Sequence, residues 1–136
     1  MSISALREDV KVGEKQFILT VKNCSGKLVA AGDTLSIKTM ETGTTNGADA
    51  ENLYGDDAGT NAGISLSMKG GDKNTADTKI TPSTNLFAVH EAAGADEDIS
   101  GKQWPILVTA AMELAQGKTA ANPGALKANL QFTMAE

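Results

Sequence analysis

Wherever this chain is periodic, apolar and polar residues alternate with a period of two, and that spacing predicts half-buried β-strands. Over residues 15–23, Phe17, Leu19 and Val21 share one face and Gln16, Thr20 and Lys22 mostly oppose them, with Ile18 interrupting the alternation. Residues 34–39 set Leu35 and Ile37 against Thr34, Ser36 and Lys38, and residues 64–69 set Ile64, Leu66 and Met68 against Ser65, Ser67 and Lys69. A short apolar strand is expected at 86–89. A longer one is expected at 104–115, with Ile106, Val108, Ala110, Met112 and Leu114 on one face. The clearest alternation closes the chain, where Ala128, Leu130, Phe132 and Met134 interleave with Lys127, Asn129, Gln131 and Thr133.

Stretches rich in Gly, Asn and Asp separate these runs: 43–50 with Asn46-Gly47, Tyr54-Gly55-Asp56-Asp57, Lys69-Gly70-Gly71-Asp72, 92–101, and 117–124 with Asn122-Pro123-Gly124. These residue types tolerate the positive φ of tight turns. Short strands punctuated in this way indicate an all-β sandwich or barrel. One segment competes: 108–116, with Ala110, Ala111, Met112, Leu114 and Ala115, has the propensity for two turns of helix. The strand is the expectation there, because the alternation of 104–108 continues into it.

A length of 136 residues fits a single domain spanning 1–136, large enough to bury a core without metals or multiple disulfides. The longest apolar runs, Phe17-Ile18-Leu19 and Ile106-Leu107-Val108, fall far short of the roughly 20 residues of a transmembrane helix, so no membrane insertion is expected. No basic segment precedes an apolar one as in a secretory signal, which suggests a cytosolic protein or a processed or trimmed chain. With 12 Lys and Arg against 17 Asp and Glu, net charge -5, nothing favours nucleic acid as a partner. Lys11, Lys15, Lys22 and Lys27 read as solvated strand faces. Cys24 is the single cysteine, so it is a free buried thiol, half of an intermolecular bond, or a residue whose partner is missing.

Candidate chemistry is sparse. A nucleophile–base pair would have to come from Cys24 and His90, the one histidine, and neither is marked as activated. His90 follows Phe87-Ala88-Val89 and precedes an acidic loop, so it is expected to be a surface histidine at a strand end. A tetrahedral zinc site lacks ligands. The carboxylates Asp49, Glu51, Asp56 and Asp57, and Glu91 with Asp96-Glu97-Asp98, lack the spacing of a calcium loop and read as solvated acidic loops. The glycines match neither the dinucleotide nor the phosphate-loop pattern. No enzyme activity, metal or cofactor is expected.

Three stretches together resemble the structural subunits of Gram-negative chaperone–usher pili, the type 1 pilin-like family. The C-terminal one is Ala110-Ala111-Met112-Glu113-Leu114-Ala115-Gln116-Gly117, then Ala121-Asn122-Pro123-Gly124, then Ala128-Asn129-Leu130-Gln131-Phe132-Thr133-Met134. It is similar to the family's penultimate strand, Pro-Gly turn and closing strand. Phe17-Ile18-Leu19-Thr20-Val21-Lys22-Asn23-Cys24 looks like the strand leading into the second cysteine, and Thr60-Asn61-Ala62-Gly63-Ile64-Ser65-Leu66 like the mid-domain strand. Two departures stand out. Met134 occupies the place of a near-terminal tyrosine, and only 23 residues, none of them cysteine, precede Cys24. Residues 1–6 then read as the tail of the first strand, with the donor extension and first cysteine absent. If the family disulfide is otherwise present, its lack costs roughly 2–5 kcal/mol.

The resemblance implies an immunoglobulin-like sandwich lacking its final strand, polymerised by donor-strand complementation, with the periplasm and then the extracellular pilus as its compartments. Its implied partners are neighbouring subunits, a periplasmic chaperone and an outer-membrane usher. With 126–135 as the closing strand, the sandwich comes up one strand short, and Ala128, Leu130, Phe132 and Met134 face an open groove whose unpaired edge invites a strand from another chain. The alternative expectation is an adhesin-like module recognising host glycan or protein through loops 46–57 and 91–104. That reading depends on Tyr54 and Trp104 as amphipathic rings, and Trp104 beside Pro105-Ile106 is expected in the core.

Overall fold

The computed structural model describes residues 12–22, 26–41, 51–57, 61–118 and 128–135. These residues are all-β, with no helix among them: β1 (Val12–Lys22), β2 (Lys27–Leu28), β3 (Thr34–Glu41), β4 (Tyr54–Asp57), β5 (Ala62–Gly70), β6 (Asn74–Ile80), β7 (Leu86–Glu91), β8 (Glu97–Asp98), β9 (Gln103–Leu114) and β10 (Leu130–Ala135).

The larger sheet has the order β1-β9-β5, and the far edge of β5 is shared by two strands, β4 beside Ala62 and Ile64 and β6 beside Leu66–Gly70. The smaller sheet is β10-β3-β7, and β2 pairs with β8 in a two-stranded ribbon. Every ladder is antiparallel. The two main sheets share one core, in which Leu66, Met68, Ile106 and Val108 meet Leu35, Ile37, Phe87 and Val89. Alternation explains this directly, because each of these side chains is the inward one of its strand.

β9 is the central strand, and the helical alternative for 108–116 gives way to it. Its register with β5 runs unbroken from Ala62↔Leu114 to Gly70↔Ile106, and β1 pairs along its other edge. Two flanking ladders satisfy backbone groups that helix propensity alone would have turned inward on the segment. Pro105 is tolerated because β5 pairing ends at Ile106, leaving β1 as its single ladder neighbour.

Three expectations need correction. Tyr54-Gly55-Asp56-Asp57, expected as a turn, is strand β4: Tyr54 pairs with Ile64 and is 1% exposed, while Gly55 takes φ 57. Both Glu41 carboxylate oxygens accept the Gly55 N–H, at 3.0 and 2.8 Å. His90, expected at the surface, is 9% exposed, because two carboxylates and an indole close over its ring. The acidic loop at 92–101, expected to be solvated throughout, sends Glu97 inward onto that ring and buries Ile99. Strand β6 has no apolar alternation to announce it; it forms because the Gly70-Gly71 turn folds the chain back along β5.

Candidate functional site, a groove between two sheet edges

β1 and β10 are edge strands of different sheets. Among the described residues β1 pairs only with β9, and β10 only with β3. Register with β3 places Met134 beside Ile37, Phe132 beside Thr39 and Leu130 beside Glu41, so the apolar side chains of β10 turn toward the core. On β1, Val21 pairs with Trp104, Leu19 with Ile106 and Phe17 with Val108, which turns these three inward as well.

The facing edges leave a groove of about 250 Å³ walled by Leu19–Lys22 of β1 and Phe132–Met134 of β10, with Ile37 on its floor. At one point the edges touch: the Phe17 and Phe132 rings meet edge to face, centroids 6.2 Å apart. Beyond that contact the walls stay apart. Burial along β1 falls in steps, from Val21 in the core through half-buried Leu19 to Phe17 at 43% exposure, and Met134 on the opposite wall is 45% exposed.

Of the residues singled out from sequence, Phe132 and Met134 line the groove. Leu130 is half-buried against the main core, and Ala128 packs both there and on the smaller cluster of Ala62, Ile64, Met112 and Leu114. Sequence reasoning missed the β1 wall and the floor. Alternation identifies the inward face of 15–23 but carries no signal that this strand is an edge. Cys24, residues 1–6 and the Asn122-Pro123-Gly124 turn lie outside the described residues.

The groove holds little fixed chemistry. Its lining is mostly apolar, with Thr20, Thr133 and Lys22 as the polar contributors. Among the described residues no group of three or more His, Cys, Asp or Glu side chains is placed to hold a metal ion. Tyr54 is a core residue whose hydroxyl has no partner among the described residues; burial and the Glu41 charge push its pKa up to about 12, so it stays neutral. Trp104 is buried too, so neither ring is displayed at a loop surface. Compared with family models, curated proteins and solved structures, the chain matches none.

Proposed function

We propose that the protein is a non-catalytic structural subunit of a Gram-negative chaperone–usher pilus, an incomplete immunoglobulin-like sandwich that receives a donor strand from the next subunit between β1 and β10. The observation that carries this reading is the groove itself, flanked by two sheet edges that have no ladder partner on that side among the described residues. Unpaired edges supply main-chain donors and acceptors for an added strand, and the inward apolar side chains supply pockets for its alternate residues.

Size and shape favour a strand over a compact ligand. The groove's volume of about 250 Å³ lies below the roughly 300–1,000 Å³ of ordinary small-molecule pockets. It runs along Leu19–Lys22, a length of roughly 13 Å at about 3.3 Å per residue, over which one face of a strand presents two side chains. Two buried apolar side chains contribute about 3–6 kcal/mol before ordering costs. The added ladder contributes roughly 0.5–1.5 kcal/mol per hydrogen bond. A head-to-tail contact of this type does not close on itself, and its repetition builds a filament. A periplasmic chaperone would fill the same groove before the neighbouring subunit does, with an outer-membrane usher taking part during assembly.

The test is titration with a synthetic peptide of alternating apolar residues, against a scrambled peptide of equal composition. At a hundredfold excess over Kd the alternating peptide stabilises by about 2.7 kcal/mol, raising Tm by on the order of 10 °C. Amides of β1 and β10 become protected from exchange. Equal responses to the two peptides, or none, would overturn the proposal.

A further inference from the structure

At the end of the sandwich where β9 begins, three segments converge on His90, the second-last residue of β7. Its Nδ1 lies 2.7–2.8 Å from the two carboxylate oxygens of Asp72, on the turn between β5 and β6. Its Nε2 lies 2.7 Å from Oε2 of Glu97, on β8. The ring stacks on Trp104 of β9, centroids 5.2 Å apart and planes 24° from parallel, and Trp104 Nε1–H points at Asp72 Oδ2 from 3.4 Å.

This geometry selects a protonation state. A neutral imidazole has one N–H and one lone pair, whereas an ionised carboxylate only accepts. With a carboxylate on each ring nitrogen, a neutral ring satisfies one and turns a lone pair toward the other. The imidazolium satisfies both, and its charge also sits over an indole face. The remaining charges nearby are mixed. Lys73 pairs with Glu91 beside Asp72, Asp98 beyond Glu97 lies near Lys27 and Lys102, and Asp33 enters the neighbouring turn, where its carbonyl accepts the Ala92 N–H.

We propose that Asp72, His90 and Glu97 form a proton-operated clasp, which in its protonated state reinforces the Asp72 and Lys73 N–H bonds to the Val89 carbonyl in holding the β5–β6 turn and β8 against the end of the sandwich, and on losing the proton frees the Asp72 carboxylate and loosens the turn. The released arm follows from burial. Glu97 is 23% exposed and Asp72 53%, so the remaining N–H stays on Nε2 toward Glu97 while Asp72 rotates into solvent. Burial on its own would lower the His90 pKa, but the hydrogen bonds to Glu97 and Asp72 and the charges of both outweigh it and raise the value above 6.5. The stabilisation is therefore complete below the unfolded-state value and is lost as pH rises through the folded-state one. Through the Trp104–Val21 pair the clasp abuts the groove wall, yet it acts on the fold itself whatever fills the groove.

His90 is the only histidine, so its imidazole resonances are unambiguous. The experiment is an NMR titration of the ¹⁵N-labelled chain from about pH 5.5 to about 9.5, with the urea-unfolded chain as reference. The expected result is a midpoint above that of the unfolded chain, both ring nitrogens protonated below it, and the Nε2–H tautomer above it. Asp72→Asn and Glu97→Gln should each lower the midpoint, and corrected exchange protection at residues 71–73 should fall as His90 deprotonates. In parallel, wild-type Tm should decline across that interval and His90→Gln should lack the decline. A midpoint at or below the unfolded value, or an Nδ1–H tautomer, would overturn the clasp. The wild-type titration decides this even where a variant fails to fold.

Discussion

β9 and β10 carry the same alternation of apolar and polar residues and end in opposite surroundings. Of the inward side chains of β9, Trp104, Ile106, Val108 and Met112 are buried and Ala110 is partly so, because strands flank β9 on both sides and the smaller sheet packs on its face. Those of β10 remain partly open, with Leu130 and Phe132 half-buried and Met134 45% exposed. Alternation therefore reports which face of a strand is apolar. It says nothing about whether the chain itself supplies the cover.

Substitutions in the two strands should separate these situations. Ile106→Ala, in a fully enclosed position, should cost about 2–5 kcal/mol in urea unfolding, with or without an added strand peptide. An equal cost at Met134 would erase the contrast. Gly71→Ala probes the turn that brings Asp72 to His90: a Cβ there would lie 2.5 Å from the Val89 carbonyl oxygen, at φ +69, and the loss should be about 1–3 kcal/mol. Gly94→Ala, with nothing within 4 Å, should stay within about 0.5 kcal/mol and serves as the control. Met134→Ala should cost the free protein under about 1 kcal/mol, well below Ile106→Ala, because its side chain is already half in water. Its effect on binding the alternating peptide should be larger, about tenfold in Kd, equivalent to about 1.4 kcal/mol.

The strands that alternate were legible from sequence because a sheet with one apolar face imposes that pattern. The inward placement of Leu35, Ile37, Leu66, Met68, Ile106 and Val108 followed from it. Strand β6 was not legible: Asn-Thr-Ala-Asp-Thr-Lys-Ile offers Ile80 and Ala76 as its apolar positions, and its place is dictated by the turn before it and by pairing with β5. β4 was hidden by Gly55-Asp56-Asp57, turn residues by type, which the ladder holds at its two ends, Tyr54 on Ile64 and Asp57 on Ala62, with an irregularity between them where Gly55 takes φ 57. Of the groove, the β10 wall was legible and the β1 wall was not, since edge position is a property of topology. The histidine cluster was illegible for the same reason. Asp72, His90 and Glu97 come from three segments, and only their convergence places a carboxylate on each nitrogen of an otherwise isolated, buried histidine.

The pairing of β1 with β9 also governs when this chain can fold. The amide of Gln16 bonds the Thr109 hydroxyl, a partner 93 residues further along the sequence. During synthesis at about 5–20 residues per second, β1 emerges several seconds or more before the strand that completes its ladder exists. Through that interval Phe17, Ile18 and Leu19 have no ladder beside them. Contacts of such long sequence separation also make for slow folding once the strands are present. The long central strand that gives the finished sheet its continuity thus sets a waiting time, during which β1 is open to whatever else can pair with it.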